Sequence, residues 1–222
     1  MIKAAKFLSV IILFISLTTY KPNIKNKSNS LIFPLQKILI ENNEILTNKE
    51  LISELEYLSG NNLLFINNKT IRQEIDKFNF ISGFKIKKIY PNTMKIIIYE
   101  KKIVAVFIEN NKKFFLSKKG EILPFKKIKF YNDLPTVYEK KGDFMNLFKN
   151  LEKTDFPINK IKSFYYFEIG RWDILFKNNK LLKLPSKKYI DSLKNYILLS
   201  ENKNFDKYKI FDYRLKKQLI LN

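Results

Sequence analysis

From Phe7 to Tyr20 the chain carries no charge and is mostly apolar, and Lys3 and Lys6 stand immediately before this run. Nothing else in the sequence constrains the architecture as strongly. Counted from Ala4, with the Lys6 amine reaching back to the interface, the segment has the length of a short spanning helix, about 17 residues. A cleaved signal peptide has an apolar core of about 7–15 residues and ends in small residues. Here the exit is Leu17-Thr18-Thr19-Tyr20-Lys21, with no Ala or Gly. The expectation is an uncleaved anchor, with residues 1–6 a cytoplasmic tail and 7–20 a transmembrane helix. Residues 21–32, beginning KPNIKNKSNS, form a polar linker. Lys21, Lys25 and Lys27 flank the far end, so charge alone does not set the orientation. A large body behind a signal-anchor predicts that everything after residue 20 is exported.

The body must fold, because 45% hydrophobic and 15% aromatic residues are too many for a disordered chain. It has no Cys and no His. That removes disulfide frameworks, Cys/His metal centres, thiol catalysis and any histidine base. The net charge of +21 admits two readings. One is a surface for polyanions. The other is genome composition acting on exposed positions, since Lys, Asn, Ile, Phe and Tyr share AT-rich codons. Phosphate and base recognition favours the bidentate fork of Arg. Only Arg72, Arg171 and Arg214 are present, which favours the compositional reading.

Residues 33–101 read as one α+β domain. Phe33–Ile40 holds a short apolar stretch suited to a strand. Thr47-Asn48-Lys49-Glu50 is a capping box, and Leu51, Leu55 and Leu58 follow on one helical face. Gly60 suits a left-handed helix end. Leu63–Ile66 reads as a short buried run, and Asn67 or Asn68 caps a second helix with the stripe Ile71, Ile75 and Phe78. Gly83 is expected to break the chain. Two strands joined at Tyr90-Pro91-Asn92-Thr93 follow, giving the order β-α-α-β-β with both helices on one sheet face.

Residues 102–222 read as a β-rich domain of seven to nine short strands and two helices. Ile103–Ile108 (IVAVFI) is apolar on both faces and is expected to be a central strand. Phe144, Leu147, Phe148 and Leu151 mark one helix after Gly142. Ile190, Leu193 and Ile197 mark another, opened by Pro185-Ser186. Asn178-Asn179 is a hairpin signal. Tyr208–Tyr213 and Leu215–Leu221 read as closing strands.

Four stretches in this order resemble the FtsQ/DivIB family of cell-division proteins. The run IKKIYPNTMKIIIYEKKIVAVF (Ile86–Phe107) is similar to the family's passage out of its POTRA domain. Lys118-Lys119-Gly120-Glu121-Ile122 resembles a family hairpin turn, with Lys118 where an acid is usual. RWDILFKNNKLLKLP (Arg171–Pro185) resembles a third stretch, with Asn179 where Gly is usual. Phe211-Asp212-Tyr213-Arg214-Leu215 resembles a late strand, with Tyr213 where Leu is usual. The resemblance implies an N-terminal transmembrane helix, a POTRA domain at 33–101 and a β domain at 102–222. It implies a bacterial inner-membrane protein of the division septum, single-pass, with a cytoplasmic N-terminus and a periplasmic body. It also implies a non-catalytic divisome scaffold that links early and late division proteins and binds FtsB-like and FtsL-like partners.

The residues agree with a scaffold. Five scattered Gly make no phosphate loop, and Glu50, Glu54 and Glu56 have the spacing of a solvated helix. No catalytic residue, metal site, cofactor, small-molecule substrate or nucleic acid is expected. Two other classes stay open, a POTRA-bearing envelope assembly or secretion factor and a membrane-tethered polyanion binder. The candidate partner-binding segment is Phe211, Asp212, Tyr213, Arg214, Leu215, Lys216 and Lys217, expected to be or to adjoin a free sheet edge. Its alternation would set Asp212, Arg214 and Lys216 opposite Phe211, Tyr213 and Leu215. Arg171 and Trp172 are secondary candidates, either as contact anchors or as a buried ring beside a local charge pair.

Overall fold

A computed structural model describes residues 32–138, 141–215 and 218–222. The expected tail and transmembrane helix lie outside these residues. Among the described residues, no helix is long and apolar enough to cross a membrane.

The first domain contains β1 (Lys37–Glu41), α1 (Asn48–Ser53), α2 (Asn68–Ile75), β2 (Ile81–Ile89) and β3 (Thr93–Glu100). Its sheet has the order β1-β3-β2, with β1 parallel and β2 antiparallel to β3. Thr47 caps α1 with both halves of the capping box formed. Asn67 caps α2 by accepting from the Lys69 amide at 2.9 Å. Leu51, Leu55, Leu58, Ile71 and Ile75 all face the core. They do so although α1 ends at Ser53 and Leu58 sits in a separate 3-10 turn, Glu56–Leu58. Gly60 closes that turn at φ +79°.

Two expectations are corrected here. Gly83 does not break the chain. It lies inside β2, at an irregularity in the pairing with β3, where a missing side chain eases a local kink. Leu63–Ile66 is not uniformly buried. Leu63 and Ile66 point inward, whereas Leu64 and Phe65 are exposed on a loop.

The second domain is a nine-stranded mixed sheet among the described residues. Its strands are β4 (Ile103–Glu109), β5 (Lys112–Ser117), β6 (Ile122–Pro124), β7 (Thr136–Tyr138), β8 (Ile161–Phe167), β9 (Arg171–Phe176), β10 (Leu181–Lys183), β11 (Ile210–Asp212) and β12 (Ile220–Leu221). The order across the sheet is β12-β11-β10-β9-β8-β7-β4-β5-β6. Helix α3 (Lys141–Lys153) links the parallel neighbours β7 and β8, and α4 (Ile190–Ser200) lies between the parallel neighbours β10 and β11. Phe144, Leu147, Phe148 and Leu151 of α3 share one apolar core with Leu193 and Tyr196 of α4. Ile190 is exposed, because the helix begins there and its inward stripe is Leu193 and Tyr196 instead. Asn179 takes φ +63° in the β9–β10 turn, the left-handed conformation that Asn tolerates better than most residues.

Strand β4 explains how the two domains join. Val104, Ala105 and Phe107 enter the helix-covered core, while Ile103 and Val106 enter the other one. That second core is the core of the first domain, and it also holds Phe115, Leu123 and Ile128. The Phe80 and Phe115 rings meet edge to face at 6.3 Å across the junction. An ion pair adds a polar clasp, with Lys126 Nζ donating to Glu50 at 2.6 and 2.7 Å.

The Lys126 amine, seconded by the Thr47 amide, holds the Glu50 carboxyl down to about 2. A carboxylate whose folded pKa is depressed adds stability above its unfolded pKa and loses it as pH falls toward the folded value. The clasp is therefore complete above about pH 4.5 and lost on approaching pH 2. Glu50→Gln is expected to flatten the acid limb of stability in that window. Urea midpoints measured for both proteins from about pH 5 to about pH 2 check this, since the difference isolates Glu50 from other carboxylates. Parallel curves would show that the clasp contributes nothing.

Candidate partner-binding edge

Edge status separates the two ends of the nine-stranded sheet. At one end β6 carries Pro124, which has no N–H to offer. Leu123 of that strand is packed into the shared core. At the other end β12 is a two-residue strand paired only on its inner side, with β11. Ile210 N–H donates to Asn222 and Asn222 N–H donates back to Ile210, at 2.9 and 3.2 Å. In an antiparallel ladder such pairs alternate. Asp212 and Ile220 then form the next closed pair, and the Leu221 N–H and C=O point away from the sheet. Leu215 and Ile220 are exposed beside this edge, and Leu198 of α4 is exposed as well.

The candidate segment takes the second of its two expected positions: Phe211 and Asp212 belong to β11, which is paired on both sides, so the segment adjoins the free edge without forming it. The expected alternation fails. Phe211, Asp212 and Tyr213 are all buried, and the strand ends at Asp212, so no single extended ribbon runs to Leu215. Tyr213 donates from its hydroxyl to Asn195 Oδ1 at 2.7 Å and thereby ties the segment to α4. Burial pushes that phenol up to about 12. Arg214 is not a free cation, since its guanidinium donates to Asp212 from Nε at 2.8 Å and from Nη2 at 2.5 Å. Lys216 and Lys217 lie outside the described residues.

Cross-strand register places Asp173 of β9, Lys183 of β10 and Asp212 of β11 side by side. Arg171 and Arg214 stand at the two ends of this row. Hydrogen bonding from Arg214 holds the Asp212 carboxyl below its ordinary value. Burial pushes the Asp173 carboxyl up, opposed by Arg171, Lys183 and Arg214. Arg171 Nε and Asp173 Oδ1 are 3.2 Å apart, an ion pair without hydrogen-bond alignment. This row of alternating charge spans the neighbouring strands β9, β10 and β11.

Trp172 cannot anchor a partner, because its ring is buried. It packs against Phe144, Phe164 and Tyr166 at centroid distances of 6.1, 6.4 and 4.9 Å. Arg171 lies over the Phe167 ring at 4.2 Å. Of the two earlier alternatives, the buried ring beside a charge pair is the one found. The closing strand expected over Leu215–Leu221 is reduced, among the described residues, to Ile220–Leu221, and this pair forms the edge.

A β-α-α-β-β domain fused through a common core to a mixed sheet has the architecture of a POTRA-type domain joined to a β domain. Residues 33–101 match the family model described as POTRA domain, FtsQ-type. The chain is 26% identical over 201 residues to the cell division protein FtsQ of Rickettsia conorii, covering 87% of this chain and 74% of that one. It is 26% identical over 211 residues to the cell division protein FtsQ of Rickettsia felis, covering 91% and 78%. The major extracytoplasmic domain of the cell division protein DivIB from Geobacillus stearothermophilus aligns with 49% of this chain and 98% of its own, at 13% identity and a TM-score of 0.35. The FtsQ-type POTRA match and the FtsQ relatives together support an FtsQ/DivIB-family protein with a role in cell division.

Proposed function

We propose that the chain is a non-catalytic divisome scaffold, anchored in the bacterial inner membrane by residues 7–20 with its body in the periplasm. It captures an FtsB/FtsL-like complex at the β12 edge and so couples early to late division proteins at the septum. The observation that carries this reading is the pair of outward backbone groups on Leu221, flanked by exposed Ile220 and Leu215. An extended partner segment adds there as a further strand, with main-chain hydrogen bonds supplying affinity. The exposed side chains Leu215, Ile220 and Leu198 supply the choice of partner. The segment Phe211–Leu215 acts behind the edge, fixing β11 through Asp212–Arg214 and Tyr213–Asn195.

Leu221→Pro removes the outward donor while sparing the closed Asp212–Ile220 pair. Capture of a co-expressed FtsB/FtsL-like complex is expected to fall at least about tenfold, as for loss of one to two buried hydrogen bonds at an interface. Ile220→Glu is expected to weaken capture with an unchanged melting temperature, since its side chain is solvent-exposed. Full capture by both variants would place the partner elsewhere. A fluorescent fusion that stays evenly around the cell instead of forming a midcell band would contradict the septal assignment.

A further inference from the structure

The described chain begins inside an exposed apolar tip of the POTRA domain. Ile32 is 70% exposed and Phe65 83%, and Leu64, Ile89 and Tyr90 are exposed beside them. They form one surface, because backbone bonds lace the three segments together. Leu63 N–H donates to the Phe33 carbonyl at 2.8 Å, and Pro34 bridges Asn62. Gln36 N–H donates to the Asn92 carbonyl at 2.9 Å, and the Phe33 and Tyr90 rings touch at 5.2 Å. Lys88 crosses from β2 to donate to the carbonyls of Leu64 and Ile66, at 3.2 and 2.8 Å. The exposed loop is thus held in place by its own scaffold. Residues 33–36 run between the loop and the Tyr90–Asn92 turn.

Within the three segments that build the tip, the charge has one sign. Segments 32–40, 60–73 and 86–96 contain no Asp or Glu. Lys37, Lys69 and Lys87 are exposed around it, and Lys21, Lys25 and Lys27 precede it in the linker. The length of the linker limits what the tip can meet. Residues 21–31 span at most about 40 Å when fully extended, and roughly 18 Å as a flexible coil. A tip within that distance of the anchor's end, apolar and aromatic at its centre and cationic at its rim, has the chemistry of an interfacial membrane contact. We propose that it docks on the surface of the anionic bilayer that holds residues 7–20, orienting the POTRA domain and with it the β12 edge. The proposal rests on the anchored reading above.

The test uses the full chain in vesicles of phosphatidylcholine with phosphatidylglycerol. The chain has no Cys, so Asn68→Cys, exposed next to the tip, takes a single environment-sensitive fluorophore. We expect a blue-shifted emission, quenched by lipids carrying a nitroxide near the headgroup. Both signals are lost when Leu64→Asp and Phe65→Asp are added, with flotation and melting temperature unchanged. Both weaken in phosphatidylcholine alone, and undiminished signals there would overturn the anionic assignment. A chain that floats with its label neither shifted nor quenched overturns the docking and leaves the anchor standing, and the tip then belongs to a protein partner. Equal quenching with and without the two Asp substitutions overturns the role of the tip. Failure to float overturns the anchor and the docking together.

Discussion

Phe115→Ala is expected to cost the chain about 3–5 kcal/mol, the usual range for deleting a buried phenyl ring, and to split its thermal unfolding into two steps. Phe115 is fully buried. It stands on β5 of the second domain, yet packs in the core of the first, against Phe80 on one side and Phe125 on the other. Its removal leaves a void where the two domains meet, so each loses the other's support. The Lys126–Glu50 clasp remains, but a partly exposed ion pair contributes about 0–1 kcal/mol and cannot restore the coupling. Calorimetry of the full chain in detergent measures both the stability and the number of transitions. A wild-type chain that already melts in two steps would show that the shared core does not couple the domains.

The second large effect is expected from Leu55→Asp. Leu55 is buried at the break between α1 and the following 3-10 turn. Losing the apolar side chain costs about 2–5 kcal/mol, and a carboxylate without a partner there adds a desolvation penalty. The POTRA domain is expected to be largely unfolded. Lys95→Ala, on the opposite face of the sheet, removes a 2.7 Å ion pair with Glu41. Because that pair is partly solvated, the change is expected to stay within about 1 kcal/mol. Similar denaturation midpoints for the two variants would mean that the core face has been assigned to the wrong side.

Local chemistry was legible in the sequence wherever a short stretch carried its own physical reason. Thr47 and Glu50 announce a helix start because their side chains answer each other's backbone amides. Asn179 announces a tight turn because few other side chains accept its backbone angles. Ile103–Ile108 announces a strand covered on both faces because no position in it is polar. The order of the POTRA elements followed from two helical stripes and two alternating runs.

What the sequence could not supply was the identity of the opposing surface. Phe114–Leu116 is a continuous apolar run, and nothing in it says that the neighbouring domain buries Phe115. Trp172 and Phe65 are both large and apolar, yet one fills the β-domain core and the other faces solvent, since neighbours distant in sequence decide which is covered. The same holds for the candidate edge. Tyr208–Tyr213 and Leu215–Leu221 both read as closing strands, and only the pairing shows that Ile220 and Leu221 cover the open side of Phe211–Asp212. Being at an edge is a property of the whole sheet, fixed only when every strand has found its partner.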